Sequence, residues 1–144
     1  MTKDANTATL DDPIFGEMAY KHSWYRKQRI HWWKNSGMVV QITAHAYSGE
    51  GISAQQRASF SEYEEIIKDV IKTFIPSIIE YIQEAYKKNY SEKEVFDALT
   101  PRNVLFMENG DWGILFDADV DIEQGVALYK ENDAFKVGSQ DDFL

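Results

Sequence analysis

The chain has 144 residues, of which 44% are apolar and 14% aromatic, so it can bury a core as one domain. It contains no cysteine, which excludes disulfide bonds and thiol catalysis. The net charge of −9 is concentrated in residues 101–144, which hold ten acids and three bases, and such a field repels nucleic acid and attracts cationic partners.

The N-terminal residues predict a flexible arm and no targeting signal. Residues 1–12 contain no apolar core, so we expect no signal peptide, and a single domain is expected over residues 13–144. The sequence also lacks an apolar stretch of about 18 residues, so no membrane-spanning helix is expected. These features favour a cytoplasmic protein.

Two alternating segments on either side of residues 35–37 predict a β-hairpin. A three-residue turn there sets Ile30 opposite Ile42, so that one face of the hairpin is apolar. The first segment, residues 22–34, interleaves basic residues with tryptophan and tyrosine. Proteins that bind single-stranded nucleic acid use that combination, although core tryptophans beside solvent-facing bases give the same pattern.

A long amphipathic helix is predicted after this hairpin. Ser53 and Gln56 form a capping box, and apolar residues recur every three or four positions from Phe60 to Tyr86. Pro76 removes one backbone hydrogen bond, so we expect a kink there, or a break and a restart. The apolar stripe continues on the same side, which indicates that both halves pack on one sheet.

The C-terminal part predicts a short helix and two more hairpins. A capping box at residues 91–94 opens the helix, and turn residues at 109–110 and 132–133 each separate two apolar segments. Strands, one long helical region and further strands indicate the α+β class. We therefore predict an antiparallel β-sheet with one long, Pro-kinked amphipathic helix packed on a face.

Residues 116–125, FDADVDIEQG, carry an acid at every second position. The acids are Asp117, Asp119, Asp121 and Glu123. Three of them match the first oxygens of an EF-hand loop, but Ile122 and Leu128 replace its turn glycine and bidentate glutamate. A catalytic carboxylate pair and an exposed acidic surface remain as alternatives. The acids and Gly125 would also fit a turn in which carboxylates accept backbone N–H groups.

No metal centre, cofactor or catalytic motif is expected elsewhere in the sequence. His22, His31 and His45 do not converge in the predicted hairpin, so they do not provide a zinc site. The motifs of zinc metalloproteases (HExxH), serine hydrolases (GxSxG) and P-loop nucleotide-binding proteins are absent. The residues alone therefore indicate an acidic α+β binding protein, for which we expect no cofactor and no nucleic-acid partner.

Three segments of the C-terminal third carry a recurring pattern. They comprise a strand with Gly113 and Phe116, a turn with Asp121, Glu123 and Gly125, and a C-terminal segment with Val137, Gly138 and Asp141. This pattern resembles a family of small bacterial domains that occur among immunity proteins of polymorphic toxin and contact-dependent growth inhibition systems. The tryptophan and histidine usual in the family's turn are Val120 and Gln124 here. The resemblance covers about residues 38–144.

The resemblance implies a protein that binds one cognate toxin domain and blocks its active site, without catalysis of its own. A cationic toxin such as a nuclease would meet the acidic loop, residues 117–123. The expected partner-binding residues are Asp117, Asp119, Asp121, Glu123, Glu108, Asp111, Trp112, Tyr129, Asp141 and Asp142. The alternatives are a small hydrolase or metal-binding enzyme that uses the acidic loop, and a single-stranded nucleic-acid binder that uses residues 22–34.

Overall fold

The computed structural model describes residues 8–32 and 35–144, which form an eight-stranded β-sheet and three helices. The strands follow one another across the sheet in chain order. They are β1 Thr9–Asp12, β2 Gly16–Lys21, β3 Ser23–Trp32, β4 Asn35–Ala44, β5 Leu99–Phe106, β6 Trp112–Ala118, β7 Asp121–Glu131 and β8 Ala134–Gly138. The helices are α1 Ala54–Tyr86, α2 Glu92–Ala98 and α3 Gln140–Phe143.

The sheet is mixed, so the predicted antiparallel sheet is wrong. Neighbouring strands pair antiparallel except β4 and β5, which run parallel with Ala44 beside Phe106. The connection between them is the reason. Helices α1 and α2 return the chain to the end of the sheet where β4 began, and a strand that starts there runs in the same direction. Hydrophobic periodicity predicts the type of each element but not its direction in the sheet.

Helix α1 is continuous over 33 residues. Its N-terminus has the predicted capping box between Ser53 and Gln56, and its buried residues recur at helical spacing as far as Ile82. Pro76 lies inside the helix, so the expected alternative of a break and a restart is wrong. Because Pro76 is exposed, its ring faces solvent and the buried stripe continues past it.

The two faces of the sheet are covered differently. Helices α1 and α2 pack on one face, where the larger core joins Phe60 and Tyr63 to strand residues such as Ile42 and Ile114. The opposite face carries a smaller cluster. Its buried members are Leu105, Leu115, Ala127, Tyr129 and Phe143. Phe143 belongs to α3, so this short helix lies on the face opposite to α1.

The β3–β4 hairpin keeps the predicted apolar face in a different register. Ile30 lies opposite Met38, with a bulge between Ile30 and Trp32, whereas Ile42 was the predicted partner. The two registers differ by an even number of positions along β4, so the same side chains face the core. The predicted turn at 35–37 falls within β4, and the connection itself, residues 33–34, lies outside the described residues.

The predicted N-terminal arm needs a correction at its end, because Thr9–Asp12 form β1 and pair with β2. Residues 1–7 of the arm lie outside the described residues. The Asp12 side chain is fully buried, and its Oδ1 lies 2.7 Å from Nη2 of Arg57 on α1. Burial alone would raise the pKa of Asp12, but hydrogen bonds from Arg57 and from the N–H groups of Phe15 and Ile14 hold that pKa below its ordinary value.

We expect Asp12→Asn to lower the free energy of unfolding by about 1–3 kcal/mol at pH 7, because Arg57 loses its charged partner. The folded pKa lies below the unfolded one, so the carboxylate stabilises fully above about pH 4, and this contribution is lost as the pH falls through the folded pKa. Urea unfolding at pH 7 and pH 3 should show a deficit that shrinks in acid. The matched change Asp11→Asn, at an exposed neighbour, should have little effect at either pH. An equal deficit at both pH values would contradict the role of the charge.

Gln56 is fully buried and joins three elements near the start of α1. Its Nε2 donates to the carbonyl oxygens of His45 at 2.8 Å and of Phe106 at 3.0 Å. Its Oε1 accepts the N–H of Ser53 at 2.8 Å. Helix α1 is thereby fastened to the ends of both parallel strands, β4 and β5.

Gln56→Ala should lower the free energy of unfolding by about 2–4 kcal/mol, because it leaves buried backbone groups without partners and removes half of the capping box. Thermal and urea unfolding measure this. Gln55→Ala is the control, since Gln55 is exposed on the same helical turn and should change stability by less than about 0.5 kcal/mol. Equal effects of the two changes would contradict the conclusion that Gln56 fastens α1 to β4 and β5.

Candidate functional site

The acidic loop, residues 117–123, lies at the turn between β6 and β7. Ala118 pairs with Asp121, and the next pair along the ladder is Phe116 with Val126. Residues 122–125 of β7 therefore lie opposite a single residue of β6, and such an excess makes a strand bulge. Ile122, at the start of the bulge, is 89% exposed.

Asp121 and Gly125 hold the shape of this bulge. Asp121 accepts the backbone N–H of Gln124 at 3.0 Å and the hydroxyl of Tyr86 at 2.9 Å. These hydrogen bonds, that of Gln124 first, lower the pKa of Asp121. Gly125 has a φ of +64°, and a Cβ there would collide with the carbonyl oxygen of Phe116. Both residues therefore serve the local backbone, which is the turn role considered from the sequence.

The other acids of the loop differ in their partners. Asp117 forms an exposed ion pair with Arg102, at 2.7 Å between Oδ2 and Nε. Asp119 and Glu123 are exposed, and their side chains make no hydrogen bond or ion pair with the described residues. The backbone N–H of Asp119 donates to the carbonyl of Ala98 at 3.0 Å, which ties the turn to the end of α2. Two free carboxylates thus flank the exposed Ile122 on a fixed backbone.

Glu108 and Asp111, which were expected to contact the partner together with the acidic loop, do not lie beside that loop. They belong to the β5–β6 turn, at the other end of the seven-residue strand β6, which corresponds to a separation of roughly 20 Å. Glu108 Oε1 lies 3.6 Å from Nδ1 of His45. Asp111 accepts a hydrogen bond from the N–H of Asn132 at 3.4 Å.

Trp112 and Tyr129 are buried, with only 1% and 6% of their surfaces exposed. Trp112 stacks on Phe106 beneath α1, and Tyr129 stacks on Phe143 of α3 on the other face. The structure therefore removes both aromatics from the expected contact residues and assigns them to the two apolar clusters. The alternation of residues along a strand predicts opposite faces for neighbours, but it does not predict that both faces of β6 and β7 are covered.

The two tail acids have separate positions in α3. Asp142 caps the helix, since its Oδ2 accepts the N–H of Ser139 at 2.9 Å. A Cβ at Gly138 would meet this carboxylate, so glycine leaves room for the cap. Asp141 is exposed. Because Gln140 donates to the carbonyl of Phe116 at 3.0 Å, α3 lies next to the bulge, and Asp141 adds to the negative field there.

A cavity of about 480 Å³ lies at the end of the sheet opposite to the acidic loop. Its lining includes Gln55, Ser59, Glu62, Asp111, Trp112, Lys130 and Asp133. Lys130 Nζ lies 2.7 Å from Glu62 Oε1 and 3.9 Å from Asp133 Oδ1, so its charge is neutralised. The sequence did not predict this cavity, because its walls come from the first two turns of α1 and from two hairpin turns. The signals at 109–110 and 132–133 predicted each turn only individually.

In the described part of the tryptophan-rich segment, residues 22–34, the two tryptophans lie apart from Lys27 and Arg29. Trp32 is 3% exposed and belongs to the core, and Trp24 Nε1 donates to the carbonyl of Glu50 at 2.9 Å. Lys27 and Arg29 alternate with these tryptophans along β3 and therefore lie on the other face of the sheet. Trp33 and Lys34 lie outside the described residues.

The described residues contain no group of three His, Asp or Glu side chains placed to hold a metal ion. His45 is near Glu108, whereas His22 and His31 are exposed at other positions of the sheet. None of the described helices is long and apolar enough to cross a membrane.

Gly125→Ala should lower the free energy of unfolding by about 2–4 kcal/mol, because the left-handed backbone and the collision with Phe116 both oppose a side chain. Gly51→Ala is the matched control, since an added Cβ there has no atom within 4 Å. Thermal unfolding of both variants measures the difference. Equal melting temperatures would show that the bulge tolerates another backbone conformation.

Comparison with known proteins gives one family. The model of DUF6985, a domain of unknown function, matches residues 14–144. No curated protein and no solved structure matches the chain. The family match covers strands β2 to β8 and all three helices, and the chain therefore belongs to the DUF6985 family.

Proposed function

We propose that this protein is an immunity protein that binds a cognate bacterial toxin domain. Its acidic loop contacts and occludes the cationic active site of that toxin. The protein acts in the cytoplasm, without catalysis or a cofactor. The observation that carries the proposal is the exposed Ile122 between the free carboxylates of Asp119 and Glu123. The net charge of −9 and the resemblance of the C-terminal pattern to immunity proteins support the same role.

Each part of the loop has a distinct task in this proposal. Ile122 is an apolar anchor that enters a pocket of the toxin, as the central residue of a binding hot spot does. Asp119 and Glu123 approach arginine or lysine residues that otherwise bind an anionic substrate. The negative field of residues 101–144 accelerates encounter with a cationic domain.

The backbone of the loop supports tight binding because it is fixed before the partner arrives. The Asp121 carboxylate, the left-handed Gly125 and the hydrogen bond from Asp119 to Ala98 hold it at three points. A segment that is already ordered loses less conformational entropy on association. Asp121 therefore contributes through loop geometry, and Asp119 and Glu123 contribute through contact.

The double variant Asp119→Lys/Glu123→Lys should weaken toxin binding at least a hundredfold, because two attractive contacts become repulsive. Its melting temperature should stay within about 2 °C of the wild type, since neither side chain has a partner among the described residues. Asp11→Lys/Glu17→Lys is the control: it makes the same charge change at exposed positions paired across β1 and β2. Calorimetry gives the affinities and a thermal melt gives the stability.

The two variants separate contact from general electrostatics. A large loss confined to the loop variant supports the proposal. Equal losses in both variants would indicate steering by net charge alone, and unchanged affinity in both would refute the loop as the contact surface. Ile122→Ala, which keeps every charge, should itself weaken binding by about tenfold or more if this side chain is an anchor.

Co-purification identifies the partner. The tagged protein is co-expressed with the coding region next to its own in the native genome, and the retained proteins are identified. A stoichiometric complex with the C-terminal domain of a large secreted protein is the expected result. If no protein is retained, the immunity proposal fails, and a rise in melting temperature with Ca²⁺ or Mg²⁺ would then favour an enzyme that uses the acidic loop.

A further inference from the structure

Strand β3 has an open edge beside helix α1. Its pairing with β2 covers only Ser23–Tyr25, whereas its pairing with β4 extends to Trp32. Beyond Tyr25, Arg26 fills the gap: its guanidinium binds the carbonyl of Phe15 and, at 3.2 Å, that of Lys27. Along residues 28–32 no described strand pairs with the edge that faces away from β4. Backbone N–H and C=O groups on such an edge are free to accept a further strand.

An apolar groove follows this edge. Two adjoining cavities of about 620 and 230 Å³ share His31, Ile67 and Lys68, so they form one groove between β3 and α1. Ile30 and Ile71 contribute to its apolar lining and are nearly buried, at 7% and 6% exposure. At one end the hydroxyl of Tyr63 donates to Oε1 of Gln28 at 3.0 Å. Phe96 of α2 lines the other end.

The lining of the groove has an excess of one basic residue, in a chain whose net charge is −9. Lys68 and Lys72 lie four residues apart on α1, so they project from the same side of the helix, and both are exposed. Arg29 adds a third basic residue from the strand, against the acids Glu64 and Glu92. The local excess of positive charge favours an acidic segment over a basic one, although the chain as a whole has the opposite sign.

We propose that this groove binds an extended acidic peptide of a partner protein, which adds a strand to β3. Backbone hydrogen bonds along residues 28–32 align the peptide. On the face of the peptide that points toward α1, apolar side chains enter the groove and carboxylates between them meet Lys68 and Lys72. A second copy of this chain is a poorer occupant. Antiparallel pairing of two β3 edges would bring Arg29, Lys68 and Lys72 of one copy toward the same residues of the other, and like charges close to one another destabilise such pairing. This site uses a surface other than the acidic loop and goes beyond the proposed toxin contact.

The test compares two blocked eight-residue peptides, Thr-Ile-Thr-Glu-Thr-Ile-Thr-Glu, whose Ile and Glu side chains share one face, and the same peptide with Lys at each Glu. We expect the acidic peptide to bind at least tenfold more tightly in 150 mM salt. Hydrogen exchange of the complex should show new protection within residues 28–32. Equal affinities, or protection only at other positions, would overturn the proposal. Protection of the same amides without peptide, at rising protein concentration, would overturn it in favour of a second copy.

A charge swap adds a second, independent criterion. Lys68→Glu/Lys72→Glu should weaken binding of the acidic peptide at least tenfold and should strengthen binding of the lysine peptide. Lys21→Glu/Lys88→Glu makes the same charge change at exposed positions away from the groove and should alter each affinity less than threefold. A similar effect of both double variants would show general charge attraction and overturn the assignment of the groove. Since both peptides are tested on each variant, a folding defect is recognised because the affinity for both peptides falls.

Discussion

The buried side chain of Gln56 is the contact on which the rest of the architecture depends. The parallel pair β4–β5 requires the chain to cross one face of the sheet between the two strands, and α1 makes that crossing. Gln56 binds the carbonyls of His45 and Phe106 at one end of the sheet. The 33 residues of α1 extend about 50 Å, and at the far end of the helix Tyr86 binds Asp121. One helix therefore positions both ends of the sheet, the acidic loop included.

The residues that match the family-like C-terminal pattern mainly serve the backbone. Asp121 and Gly125 shape the bulge, and Gly138 leaves room for the carboxylate that caps α3. Such roles are compatible with many functions, because they fix a loop without determining what it contacts. The functional proposal depends instead on the exposed side chain of Ile122 and on the carboxylates of Asp119 and Glu123, which have no partner among the described residues. Their exposure on a fixed backbone is the physical basis for a binding surface.

The two proposed surfaces have opposite charge, and the net charge of −9 describes only one of them. The acidic loop suits a cationic partner, whereas Lys68 and Lys72 line a groove that suits an acidic strand. Salt bridges elsewhere, such as that between Lys130 and Glu62, neutralise charges that would otherwise contribute to either field. At physiological salt the screening length is about 8 Å, so these separated surfaces act largely independently.

The sequence by itself determined the type of nearly every element and the buried side of α1 and of the β3–β4 hairpin. Capping boxes at Ser53 and Ser91, the turn at residues 132–133 and the stripe along α1 are local signals, since each depends on neighbours in the chain. Only the tertiary structure decided the parallel pairing of β4 with β5, the separation of Glu108 from the acidic loop, and the burial of Trp112 and Tyr129. Those features depend on which faces and edges of distant strands meet, and periodicity along one strand carries no information about its neighbours.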